Sequence, residues 1–136
     1  MPAHILVVDD EPRLIRLMQS ALQDAGYRVT TACDGVDALA QIQAERPDLV
    51  VLDAMMPRMD GYEALRRLKT DPETGGLPVL MLICRAADAD VLRGWQRTAD
   101  FYMPKPFNPM ELLTSVKRML KPPGNDSAKS TLIDLC

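Results

Sequence analysis

Residues 5–12 read Ile5-Leu6-Val7-Val8-Asp9-Asp10-Glu11-Pro12. Four apolar side chains run together with no polar break, the pattern of a strand buried on both faces. Three acids end the run, and Pro12 follows. Proline suits the first turn of a helix, where its missing N–H is no loss. Beyond it Leu14, Leu17, Met18, Ala21, Leu22 and Ala25 recur at helical spacing, and Gly26 is a natural stop. This opening is a buried strand, an acidic turn and an amphipathic helix.

The same unit repeats along the chain. Tyr27 to Ala32 reads as a second strand, and Asp34 can cap a helix carrying Val36, Leu39, Ala40 and Ile42. Leu49 to Leu52 is a third strand, running into Asp53 and the turn Pro57-Arg58-Met59-Asp60-Gly61. A third helix carries Leu65 and Leu68, Val79 to Ile83 is a fourth strand, and Asp88 to Arg97 is a weaker helix interrupted by Gly94. Phe101 to Met103 is a short fifth strand. Asn108, Pro109 and Glu111 then form a capping box for a fifth helix with Leu113, Val116 and Leu120 on its apolar face. Strict alternation predicts an α/β fold with a parallel sheet and helices on both sides. Its crossovers are right-handed, and ligands belong at the carboxyl ends of the strands.

Composition narrows the function. The chain has 136 residues, 47% of them hydrophobic and 26% charged, as in a single folded domain rather than a disordered tail. A net charge of −3 argues against nucleic acid as the main partner. One histidine, His4, excludes a metal site built from several histidines, and a catalytic triad would have to use it. Cys33, Cys84 and Cys136 form no CxxC pair, so a reducing cytoplasm is expected and a disulfide framework is not. No secretory signal is expected, and the apolar runs Leu49 to Leu52 and Val79 to Cys84 are far too short to cross a membrane. From Lys121 the pattern stops; Pro122-Pro123-Gly124-Asn125 is linker chemistry, and residues 122–136 are expected to form a linker and flexible tail.

On this scaffold Asp9 and Asp10 end the first strand, Asp53 ends the third and Lys105 follows the fifth. If strands one and three are neighbours, three carboxylates converge at one sheet edge. Like charges held close need a counter-charge. A hard divalent cation with oxygen ligands, Mg²⁺, and the Lys105 ammonium would supply it. Taken singly, Asp10 or Glu11 could simply cap the first helix, and a lysine flanked by prolines could be a turn residue.

The residues Val7-Val8-Asp9-Asp10-Glu11, Asp53-Ala54-Met55-Met56-Pro57-Arg58-Met59-Asp60-Gly61 and Lys105-Pro106-Phe107 together resemble the receiver domain of two-component response regulators. Pro78-Val79-Leu80-Met81-Leu82 and Ala99-Asp100-Phe101-Tyr102 fit the same pattern, and the resemblance covers residues 3–121. It implies a flavodoxin-like doubly wound sheet of five strands in the order 2-1-3-4-5, with five helices. Asp53 would be the phosphoacceptor. Asp10 would bind Mg²⁺ directly, Asp9 through water, and the Met55 carbonyl would add a ligand. Lys105 would pair with the phosphoryl group, ahead of a cis bond to Pro106. The phosphoryl group would come from a sensor histidine kinase or a histidine phosphotransfer protein. The output would be a changed surface on helix four, strand five and helix five, met by a downstream effector or a second copy. Such a domain is not a conventional enzyme; it catalyses its own phosphorylation and slow dephosphorylation.

The sequence departs from that pattern at the readout. Ile83 stands where the family places Thr or Ser, whose hydroxyl contacts the phosphoryl group and is coupled to an aromatic switch residue, here Tyr102. Cys84 replaces a small Ala or Gly beside the site. Thr98 replaces a Gly, Phe101 a common second Asp, and Trp95 lies on the same segment as core residue or partner anchor. An alternative follows: a receiver-fold interaction module with weak or no phosphorylation-dependent switching. A haloacid-dehalogenase-type phosphatase fails, because Asp9-x-Glu11 is not Asp-x-Asp.

Overall fold

The apolar runs become five strands: β1 (His4–Val8), β2 (Arg28–Ala32), β3 (Leu49–Asp53), β4 (Val79–Cys84) and β5 (Phe101–Lys105). The computed structural model describes residues 2–54, 56, 59, 61–84 and 100–120, without the side chain of Cys84. Four helices lie among these: α1 (Pro12–Asp24), α2 (Gly35–Ala44), α3 (Gly61–Thr70) and α4 (Pro109–Met119). The last is the fifth helix of the sequence reading. The expected helix over residues 88–97, Trp95, Thr98, Met55 and the tail 122–136 lie outside the described residues.

All strand pairs are parallel, and the sheet order is β2-β1-β3-β4-β5, as the family resemblance implies. β1 and β3 are therefore neighbours. Each is buried along its whole length, which explains the unbroken apolar runs. Alternate side chains feed two cores. Leu6, Val8, Val50 and Leu52 pack towards Ile42, Leu65 and Leu68 of α2 and α3. Ile5, Val7, Leu49 and Val51 pack towards Met18 and Leu22 of α1 and Leu112 and Val116 of α4. Each such side chain contributes about 1.5–3 kcal/mol, so register is firmly held. A one-residue slip of β1 would swap its side chains between the cores and draw Asp9 into apolar surroundings.

The caps agree with the sequence. Asp34 accepts from the Asp37 N–H at the start of α2, and Asn108 and Glu111 form both bonds of a capping box on α4. Some helix faces are shifted. Leu17 and Val36 are exposed, and on α4 Leu112 is fully buried with Val116 while Leu113 is only partly buried. Phe101 is half-buried against the α1–α4 core. No helix among the described residues is long and apolar enough to cross a membrane.

Candidate functional site

The register of β1 and β3 pairs Val8 with Leu52, so Asp9 and Asp53 emerge side by side at the carboxyl edge. Asp9 is fully buried, Asp53 is 4% exposed and Asp10 faces solvent. One carboxylate oxygen from each of the three lies within 4.8 Å of the others. The capping alternative, which concerned Asp10 or Glu11, leaves Asp9 to the cluster. Its Oδ1 accepts from the Glu11 N–H at 3.0 Å, inside the acidic turn, while Glu11 itself is the N-cap of α1 and makes no side-chain capping bond.

Lys105 is the last residue of β5 rather than a residue beyond it, a correction to the expected strand end. Its Nζ lies 3.0 Å from Asp53 Oδ1 and 3.3 Å from Asp9 Oδ2. Burial lowers its pKa, but the Asp53 hydrogen bond and the charges of Asp53 and Asp9 outweigh this and leave it raised. The group is an ammonium at neutral pH. Three carboxylates facing one ammonium leave a local excess of negative charge, and every potential ligand atom is an oxygen. That donor set fits a hard divalent cation.

Around this cluster, Ile83 is 6% exposed and belongs to the α2–α3 core, against which the half-buried Tyr102 also packs. The two share one face of the sheet. Cys84 pairs in register with Lys105, and the Lys105–Pro106 peptide is cis. A hollow lined by Glu11, Leu14, Lys105, Pro106 and Phe107 adjoins the lysine. His4 is remote from all of this: it begins β1, at the amino edge, where Nε2 meets Thr30 Oγ1 at 2.8 Å.

Two constraints on the site were missed in the sequence reading. A Cβ on Gly61 would stand 2.0 Å from the Asp53 carbonyl oxygen, so only glycine lets α3 start against the end of β3. A Cβ on Gly35 would stand 2.6 Å from the Met59 carbonyl oxygen. Glycine near a turn was the only local signal, and it does not reveal which backbone approaches.

A parallel five-stranded sheet with clustered acids and a lysine at its carboxyl edge defines a phosphoacceptor signalling domain. The family model for the response regulator receiver domain matches residues 5–117, and the chain belongs to that family. It is 42% identical over 121 residues to the alkaline phosphatase synthesis transcriptional regulatory protein PhoP of Bacillus subtilis, covering 89% of this chain and 50% of the relative. It is also 42% identical over 139 residues to the response regulator MprA of Mycobacterium sp. (strain KMS), covering 99% of this chain and 60% of the relative. The chain thus spans about half the length of these relatives. Among solved structures, the chemotaxis response regulator CheY4 of Vibrio cholerae is similar at a TM-score of 0.81 and 36% identity, covering 88% of this chain and 100% of that one. A signal receiver domain of a Syntrophus aciditrophicus histidine kinase gives a TM-score of 0.81 at 34% identity, over 87% and 89% of the two chains. These relationships favour the phosphoacceptor reading over a non-switching interaction module. The domain is a two-component signalling domain and not a conventional enzyme.

Proposed function

We propose that Asp53 accepts a phosphoryl group from a phosphohistidine on a sensor histidine kinase or histidine phosphotransfer protein. The observation that carries this reading is the placement of Lys105 between the buried Asp53 and Asp9 carboxylates, 3.0 and 3.3 Å away. A carboxylate is a weak nucleophile towards an anionic donor unless charge is neutralised. Lys105 supplies fixed positive charge where the phosphoryl oxygens would arrive. Asp10 and Asp53, Asp9 through water and the Met55 carbonyl would hold Mg²⁺. When bound, the ion supplies further neutralisation and orients the phosphoryl oxygens. An Asp53 oxygen forms the new bond to phosphorus as the phosphorus–nitrogen bond of the donor breaks, and the imidazole nitrogen keeps the electron pair. Slow hydrolysis of the acyl phosphate resets the domain.

The donor histidine belongs to a partner, since His4 is buried at the opposite edge. We take residues 3–121 as the domain and 122–136 as linker and tail, acting in the cytoplasm. The new phosphoryl charge is read on the surface of β5, the Pro109–Met119 helix and the helix expected over residues 88–97, by a downstream effector or a second copy. A groove lined by Tyr102, Pro104, Met110 and Thr114 supports that surface. Ile83 and Tyr102 act as the switch pair through packing, and Cys84 and Pro106 flank the phosphoryl group.

The test is incubation with a small-molecule phosphodonor, with and without millimolar Mg²⁺, read by intact mass. A Mg²⁺-dependent gain of one phosphoryl group that Asp53→Asn abolishes is the expected result. No gain at any Mg²⁺ concentration sinks the reading.

A further inference from the structure

Two backbone hydrogen bonds among the described residues hold the segment that leaves Asp53. At its base the Gly61 N–H donates to the Ala54 carbonyl at 2.9 Å. Near its end the Gly35 N–H, in the first turn of α2, donates to the Met59 carbonyl at 3.2 Å. This second contact leaves no room for a side chain. A Cβ on Gly35 would lie 2.6 Å from the Met59 oxygen and 2.9 Å from its Cγ. The oxygen belongs to the backbone, so it cannot swing aside as the end of a side chain could.

The turn that carries Gly35 also touches the other acidic segment. The Ala32 carbonyl accepts from the Asp9 N–H at 3.2 Å. Between the two contacts the chain is stiffened by Asp34, which is 5% exposed and accepts from the Asp37 N–H at 2.8 Å. Residues 32–35 therefore brace both segments that bring carboxylates to the sheet edge. Neither Ala32 nor Gly35 has a side-chain donor, and the acid cluster among the described residues is Asp9, Asp10 and Asp53.

We propose that Gly35 is a positioning residue for the phosphoacceptor site, setting through Met59 the distance between the Asp53 loop and the Asp9–Asp10 turn. The proposal rests on the reading of that acid cluster as a Mg²⁺ site. The β1–β3 register places Asp9 and Asp53 side by side, and the Gly35–Met59 contact holds the segment beyond Asp53 against that edge, so an alanine that pushes Met59 outward strains the strand end that carries Asp53. The effect does not come from α2 itself, because alanine is the better helix former.

Mg²⁺ titration of the full chain, followed by backbone amide shifts, tests this. Gly35→Ala is expected to weaken Mg²⁺ binding about 10-fold, the lower end of the usual cost of disturbing the support of a metal site. Gly76→Ala is the control, since a Cβ there meets nothing within 4 Å, and its affinity is expected to match the wild type. If Gly35→Ala does not fold, wild-type hydrogen exchange decides. Linkage is reciprocal, so Mg²⁺ must slow exchange of the Gly35 amide while leaving the Ala38 amide, bonded to the Asp34 carbonyl within α2, unchanged. Wild-type affinity in Gly35→Ala, or an unprotected Gly35 amide at saturating Mg²⁺, overturns the inference alone. No Mg²⁺ binding by the wild type overturns the site reading and this inference with it.

Discussion

Lys105 reaches Asp53 across an intervening strand. The two residues end β5 and β3, β4 lies between them, and the ammonium stands 3.0 Å from the carboxylate. Only a long side chain spans that gap. Lys105→Met keeps most of the stem and removes the charge. The rate of phosphorylation from a small donor is expected to fall roughly 10²-fold or more, the cost of losing one preorganised stabiliser of developing charge. In metal-free buffer the variant also takes the ammonium away from two buried carboxylates, at about 3 kcal/mol, and added Mg²⁺ recovers part of it. Stopped-time mass spectrometry and urea unfolding measure the two effects.

The same pair sets a pH dependence. The folded-state pKa of Lys105 is raised above its ordinary 10.5, because pairing with Asp53 and Asp9 outweighs the opposing, larger single effect of burial. Its stabilising contribution is therefore complete below pH 10.5 and is lost as pH rises through the higher folded value. In EDTA, the stability gap between wild type and Lys105→Met is expected to stay constant from pH 7 to 9 and to close above pH 10.5. A gap that closes below pH 9 contradicts the pairing.

Much of this site was legible because buried parallel strands must be apolar throughout, so the acids after Val8 and at Asp53 mark strand ends without ambiguity. The end of β5 was harder to read. Pro104 and Pro106 look like breakers, yet β5 is an edge strand, where proline is tolerated, and Pro104 pairs in register with Ile83. Leu17 and Val36 fit the helical period but lie at the margin of the buried stripe, where periodicity alone cannot place the boundary. The close approaches of Gly35 and Gly61 join segments distant in sequence, and no local pattern encodes them.

Substitution at Ile83 tests the proposed readout apart from acceptance of the phosphoryl group. It is buried in the core that Tyr102 packs against, and it offers no hydrogen bond. Ile83→Thr is expected to cost about 1–3 kcal/mol in the unphosphorylated state, through lost methyl packing and a buried hydroxyl. In the phosphorylated state the hydroxyl can donate to the phosphoryl oxygen, a bond worth roughly 1.5–3 kcal/mol. Phosphorylation should then stabilise the variant more than the wild type and shift the Tyr102 ring resonances further. Equal shifts in both proteins would show that this position does not couple to Tyr102.

Gly61 and Gly76 offer a matched pair of substitutions. Alanine at Gly61 drives a Cβ to 2.0 Å from the Asp53 carbonyl, and the nearest atoms are all backbone. A loss of about 2 kcal/mol or more is expected, with weaker Mg²⁺ binding, because the displaced strand end carries Asp53. Alanine at Gly76 meets nothing, so its effect stays within about 1 kcal/mol and leans towards stabilisation through the unfolded chain. Thermal unfolding with and without Mg²⁺ distinguishes the two.

At the opposite edge, Asp100 ties three elements together. Its Oδ2 accepts from the Val79 N–H at 2.7 Å and from Lys69 Nζ at 3.0 Å, and Lys69 also donates to the Leu77 carbonyl at 2.9 Å. The end of α3 is thereby fastened to the entry of β4 and β5. Asp100→Ala leaves the part-buried Val79 N–H without its acceptor and is expected to cost about 2 kcal/mol, whereas Asp100→Asn keeps an acceptor oxygen and costs less. Because this staple lies at the amino ends of the strands, phosphorylation of Asp53 should proceed at the wild-type rate in both variants. Urea unfolding paired with the phosphodonor assay checks both halves, and a slowed phosphorylation with intact stability would place Asp100 in the signalling machinery instead.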